Sequence, residues 1–287
     1  MSIFKKMSAR FMPLFVVALV IALAAVGCSQ PSTAPTSSPT STPELSGEIT
    51  IAGSTTVQPV SEMLAEAFKV MHPKVNIVVQ GGGSSVGVKS ASEGTVNIGA
   101  ASREVKENEK GLGLNEFVIA RDGIAIVVHP SQTVKGLTRI QVRDIFAGKI
   151  TNWSEVGGAN KSIHIVAREE GSGTRSAFEE MVMSEDALIA KEAILQPSNG
   201  AIRTTVAGDP DSIGFLSFGY LDSSVKAVDI NGIGATVENA KSGTYPIVRP
   251  LLYLTKSQPS GLVKAYIDFV LSPEGQEIVS KDYLSVN

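Results

Sequence analysis

From residue 47 onward the chain switches between two hydrophobic periods. "GEITIAGS" (47–54) alternates apolar and polar residues in the two-residue period of a strand and ends in small residues. "PVSEMLAEAFKVMH" (59–72) then sets Val60, Met63, Leu64, Ala67 and Phe68 at helical spacing, with Pro59 suited to a first turn. "KVNIVVQ" (74–80) reads as a strand, "SVGVKSASEG" (85–94) as a helix and "VNIGAAS" (96–102) as a strand. "GIAIVVHP" (123–130) is a strongly apolar strand, followed by the helix candidate "TRIQVRDIFAG" (138–148) and the strand "SIHIVARE" (162–169). "SAFEEMVM" (176–183) is amphipathic, "YPIVRPLLYLTK" (245–256) is β-prone, and "SGLVKAYIDFVLS" and "PEGQEIVSKDY" read as closing helices. This alternation predicts an α/β fold with largely parallel sheets.

The first 46 residues follow another pattern. Lys5, Lys6 and Arg10 precede the apolar run "FMPLFVVALVIALAAVGC", the layout of a signal peptide over residues 1–27. Its last four residues, "AVGC", resemble the lipobox of lipoproteins, in which the cysteine, here Cys28, is lipidated and becomes the mature N-terminus. A retained N-terminal membrane helix is the alternative, and either places the rest of the chain outside the cell, tethered to a membrane. Residues 28–46, rich in Ser, Thr and Pro, bury too little to fold and read as a spacer.

Composition narrows the function. The chain has 287 residues, 43% hydrophobic and 18% charged, enough for one large or two medium domains. A formal net charge of -3 with no basic block argues against nucleic acid as a partner. One cysteine allows neither an internal disulfide nor a thiolate metal cluster. The three histidines are scattered, no H-E-x-x-H occurs, and no glycine run ends in the Gly-Lys-Ser/Thr of a P-loop, so no metal or other cofactor is expected.

One chemical idea recurs three times. "AGSTT" (52–56), "GGGSS" (81–85) and "REEGSGTR" (168–175) each lie between a strand and a helix. A helix start leaves backbone N–H groups without intrahelical partners and carries partial positive charge, so it attracts anions. Glycines let the backbone approach, Ser54, Thr55, Thr56, Ser84, Ser85, Ser172 and Thr174 add hydroxyls, and Arg168 adds a full charge in a planar fork. Each turn alone could be no more than a helix cap. Three of the same chemistry point to a shared small polyoxyanion.

Taken in order, "IAGSTTVQPVSEML", "GGGSSVGV", "VNIGAASRE", "DGIAIVVHP", "LTRIQVRDIFAGKITNW", "REEGSGTR" and "GFLSFGY" resemble the PstS-like phosphate-binding proteins that serve phosphate ABC transporters. The resemblance implies a type II periplasmic-binding-protein fold, with two α/β lobes joined by two crossover strands that close on the anion. Lobe one is then expected at 47–124 plus 249–287 and lobe two at 125–248. Carried over by position, Thr55, the Thr56 backbone, Ser84, Arg168, Ser172, Gly173 and Thr174 match the family's phosphate contacts, with Ser54 and Ser85 adjoining. Glu170 matches an acid that orients the arginine. The implied partners are inorganic phosphate and an ABC permease, and the implied state is a monomer that does no bond-making.

Many relatives carry an aspartate where this chain has Arg103, and that aspartate accepts the phosphate proton and rejects sulfate. Arg103 adds charge for the anion or forms a lobe-to-lobe salt bridge, and Glu104, Glu169 and Asp122 remain as acceptor candidates. A general oxyanion receptor is therefore an alternative, as is an adhesion or signalling lipoprotein that has kept the fold. Gly83-Ser84-Ser85-Val86-Gly87 satisfies G-x-S-x-G, the turn of a hydrolase nucleophile, but only His129 and His164 lie downstream, both in ordinary strand positions. Trp153 reads as packing rather than a sugar platform.

Overall fold

A computed structural model describes residues 44–184 and 186–286. The signal segment, Cys28 and nearly all of the spacer lie outside the described residues. Among those described, no helix is long and apolar enough to cross a membrane.

The chain runs β1 (Gly47–Gly53), α1 (Val57–Met71), β2 (Val75–Gln80), α2 (Ser84–Glu93) and β3 (Ile98–Ala101), then the short α3 (Glu107–Lys110) and the long β4 (Asn115–Val128). There follow β5 (Gly136–Leu137), α4 (Arg139–Phe146), β6 (His164–Arg168), α5 (Gly173–Val182), β7 (Ile194–Gln196), α6 (Asn199–Ala207) and β8 (Ser212–Ser217). The last elements are β9 (Lys226–Ala227), β10 (Asp229–Ile230), α7 (Val237–Lys241), β11 (Val248–Thr255), α8 (Gly261–Leu271) and α9 (Pro273–Val279).

The main sheet has nine strands in the order β2-β1-β3-β11-β4-β8-β6-β7, with β9 beside β4. Its pairing is mixed rather than largely parallel. β1 pairs β2 and β3 in parallel and β6 pairs β7 and β8 in parallel, but β11 is antiparallel to β3 and β4, and β4 is antiparallel to β8. The departure comes from β4 and β11, which carry the chain between two cores in opposite directions.

One core gathers Ile49, Ile51, Leu64, Phe68 and Ile98 with Ala120 of β4 and Leu251 of β11. The other gathers Ile124 to Val128 of β4 with Phe146, Trp153, Phe178 and Phe215, and Val248 of β11 packs against it. These cores define a first and a second lobe, and β4 and β11 pass through both. Helix α1 shows how the first is filled: Val60, Leu64 and Phe68 are buried at the predicted spacing, while Met63 and Ala67 line the rim. Each such buried side chain contributes about 1.5–3 kcal/mol by removal from water. In the second lobe the Phe178 and Phe215 rings stack with centroids 4.2 Å apart and Phe146 meets both edge-on. Trp153 is fully buried, its indole N–H donating to the Asp211 carbonyl, as the packing reading expects.

Candidate anion site at the lobe junction

The three glycine- and hydroxyl-rich turns meet where the lobes touch. Helix α2 lies close on the first sheet because Gly87 has no side chain: a Cβ there would stand 2.3 Å from the Ala100 carbonyl oxygen. That approach brings the Ser84 hydroxyl to the start of α2, where it accepts from the Ser102 N–H at 3.0 Å. From the second lobe, Gly173 opens α5 so near that a Cβ would lie 2.1 Å from Ser84 Oγ and 2.6 Å from Ser102 Oγ. The preceding turn adopts φ +84° at Gly171, whose carbonyl accepts from the Ser85 N–H across the junction at 3.1 Å.

Thr56, immediately before α1, ties the same region together. Its hydroxyl lies 3.0 Å from Thr174 Oγ1 and accepts from Asn199 Nδ2 at 2.9 Å and from Arg249 Nη2 at 3.1 Å. Asn199 opens α6 and also donates to Thr55 Oγ1, while Tyr220 donates its hydroxyl to the Thr55 carbonyl at 2.7 Å. Ser54, Thr55, Thr56, Ser84, Ser172 and Thr174 are all buried. The first N–H groups of α5 and α2 have no intrahelical backbone acceptor; that of Ser85 goes to the Gly171 carbonyl and that of Arg175 to the Ser172 hydroxyl, and the others of each first turn lie beside the hydroxyls.

Arg168, at the end of β6, is 1% exposed. Its Nε donates to the Gln196 carbonyl at 3.1 Å and its Nη2 to the Pro197 carbonyl at 2.8 Å. Among the described residues no carboxylate forms a salt bridge with it. Burial, and next the neighbouring positive Arg249, pull the guanidinium down to about 10, still charged at any ordinary pH. A buried cation that meets carbonyls and no carboxylate among the described residues favours an anionic guest, because desolvating an unpaired charge costs several kcal/mol.

Three expectations change. Glu170 is exposed and makes no hydrogen bond or ion pair with Arg168 among the described residues; two backbone carbonyls orient that guanidinium, because β7 and the turn before α6 run beside it. Arg103 is buried, and its two Nη atoms are taken by the Glu109 carboxylate at 2.7 and 2.8 Å and by the Glu104 carbonyl, so it is not a lobe-to-lobe bridge; its buried Nε has no hydrogen-bond partner among the described residues. Glu109 belongs to α3, on the same lobe. Although burial raises the Glu109 carboxyl, hydrogen bonds from Arg103 and the Lys106 N–H hold it below the usual range. Ser54 faces inward: its hydroxyl accepts from the Thr56 N–H and donates to Ser102 Oγ.

Of the three acceptor candidates, Glu104 and Glu169 are exposed. Asp122 is fully buried, its carboxylate taking Arg249 Nη2 at 2.9 Å and the Ser217 hydroxyl at 2.9 Å. Burial pushes Asp122 up and Arg249 down, and each holds the other charged. Ser85 Oγ accepts from Arg103 Nη2 at 3.4 Å, whereas His129 hydrogen-bonds Ser131 and His164 pairs with Asp209. The junction residues absent from the sequence reading are Ser102, Asn199, Ser217, Tyr220 and Arg249. Ser198 before Asn199, with Gly208 nine residues later, is the cap signal that could have marked α6.

Comparison with known proteins finds relatives that cover most of the chain. A family model described as the PBP superfamily domain matches residues 34–274. The phosphate-binding protein PstS of Bacillus subtilis is 35% identical over 240 residues, covering 83% of this chain and 79% of that protein. A crystal structure from Clostridium perfringens, described as a phosphate ABC transporter substrate-binding protein with bound phosphate, is 44% identical with a TM-score of 0.80, covering 84% of this chain and 100% of that one. An ABC-type phosphate transport receptor from Vibrio cholerae is 35% identical with a TM-score of 0.70, covering 83% and 100%. With a superfamily match across both lobes and these identities over most of its length, the chain belongs to the PstS family of phosphate-binding proteins.

Proposed function

We propose that this protein captures inorganic phosphate outside the cytoplasm and delivers it to the permease of an ABC transporter. The observation that carries the reading is the buried Arg168, without a carboxylate partner among the described residues, beside helix starts from both lobes and their hydroxyls. The C. perfringens relative, solved with bound phosphate, supports the choice of anion. The proposed contacts are Thr55 and the Thr56 N-terminal turn, Ser84, Arg168, Ser172, Gly173 and Thr174. Ser54 and Ser85 support them from behind. Phosphate docks on one lobe and the second closes, adding donors present only in the closed form, and affinity for that form shifts the population. The mechanism is binding without chemistry on the anion. The protein acts as a monomer, held at the membrane by a lipid on Cys28 or by its apolar N-terminal segment.

A general oxyanion receptor is the second reading. It is favoured by the carboxylates near the site: Glu104 and Glu169 are exposed, and Asp122 is engaged by Arg249 and Ser217. Calorimetric titration of the anion-stripped protein with phosphate, arsenate and sulfate separates the two. Phosphate binding that sulfate does not displace supports phosphate capture, and equal affinity for sulfate replaces it with the general receptor.

A further inference from the structure

Asp122 and Arg249 are direct cross-strand partners on β4 and β11. They sit where each strand passes from one core to the other: Ala120 belongs to the first and Ile124 to the second, while Leu251 belongs to the first and Val248 packs on the second. Both are buried, and together they reach both lobes. Asp122 accepts from Ser217 of the second lobe, and Arg249 donates to the Ser102 carbonyl and to Thr56 Oγ1 of the first.

The hydrogen-bond roles at Thr56 follow by elimination. A threonine hydroxyl has one proton and two lone pairs, and an arginine can only donate. The Asn199 amide is fixed as well, because its oxygen accepts from the Ser217 N–H at 3.2 Å, which leaves its NH2 facing Thr56. Arg249 and Asn199 therefore fill both lone pairs of Thr56 Oγ1. Its proton must go to the remaining neighbour, Thr174 Oγ1, 3.0 Å away on the other lobe. Thr174 then accepts from Thr56 and keeps its own proton for another acceptor.

We propose that the Asp122–Arg249 pair is a positioning unit for the anion site: by fixing the Thr56 hydroxyl as donor to Thr174, it makes the closed junction present Thr174 to the anion as a donor. The pair touches no anion itself. It acts through Thr56, so the crossover strands set the polarity of the contact that joins the lobes. This inference rests on the phosphate-capture reading, in which Thr174 contacts the anion.

The test is a double-mutant cycle on the full chain in detergent, stripped of anion, with phosphate affinity read by calorimetry and the melting temperature recorded for each variant. Arg249→Lys keeps a charge for Asp122 but loses the fork that also reaches Thr56. It weakens phosphate binding at least tenfold. Thr56→Val weakens it to a similar degree, Thr56→Ser recovers most of that loss by restoring the hydroxyl, and Arg249→Lys added to Thr56→Val costs less than a further twofold. Independent, multiplying losses, or no recovery by serine, overturn the positioning role while leaving phosphate capture intact. Should Arg249→Lys not fold, Asp122→Asn takes its place in the cycle with the same expectations. A wild-type protein that binds no phosphate overturns the functional reading, and this proposal with it.

Discussion

Two buried arginines, 65 positions apart, illustrate how differently one residue type can be used. The Nη atoms of Arg103 are held by a carboxylate of its own lobe, whereas Arg168, among the described residues, hydrogen-bonds carbonyls and no carboxylate. Arg168→Ala should therefore weaken phosphate binding by well over tenfold, about 1.4 kcal/mol or more, and leave the melting temperature of the anion-free protein unchanged or raised, since an uncompensated buried charge is removed. Arg103→Ala should do the reverse: a lower melting temperature, because Glu109 loses its partner, with phosphate affinity reduced less than about fivefold, or about 1 kcal/mol. Calorimetry and thermal melts on the two variants check the contrast. Glu109 also has a pH signature. Its carboxyl titrates lower in the folded chain than an ordinary glutamate, so its contribution is fully present above the ordinary glutamate value and is lost as pH falls through the depressed folded value. Melting curves from pH 7 down to the acid limit should show Glu109→Gln with a shallower acid loss than wild type; parallel curves would dissociate Glu109 from acid sensitivity.

Helix α2 shows what close packing does for the site. Gly53 and Gly87 let it settle on β1 and β3, where Cβ atoms would come within 2.2 and 2.3 Å of the Ala100 oxygen. Gly87→Ala should lift the helix, lowering stability by about 1–3 kcal/mol and displacing Ser84, so that phosphate affinity falls together with the melting temperature. The elements that the sequence revealed are those whose burial repeats locally: β1, α1, β2, α2 and β3 all fell where the period placed them. The strand β4 was recognised only from Gly123 because Arg121 and Asp122 interrupt its apolar run. The charge on Asp122 is tolerable there through Arg249 and Ser217, 127 and 95 positions away, and no local pattern carries those pairings. Helix α6 was missed because it is nine residues long and begins with a buried polar residue, Asn199, whose partners Thr55 and Thr56 lie more than 140 positions upstream. The three turns were legible because their chemistry is local. That Glu170 faces solvent and Arg103 turns to Glu109 was not, since both depend on where a neighbouring element runs.

Among the described residues, the two large cores share the main sheet, and hydroxyls and helix starts from both lie at the seam. Closure demands a tight fit there, and at Gly173 a Cβ would meet Ser84 and Ser102. Gly173→Ala should hold the lobes apart: small-angle scattering should show wild type contracting when phosphate is added and the variant contracting less, with anion-free stability little changed. The account rests most directly on the claim that this seam binds phosphate. The measurement that tests it is calorimetric titration of phosphate into the anion-stripped protein at fixed pH, beside Arg168→Ala. One phosphate per chain with micromolar or tighter affinity in wild type, weakened more than tenfold in the variant, is the expected result; no phosphate binding by the wild type, or equal affinity in the two proteins, would contradict it.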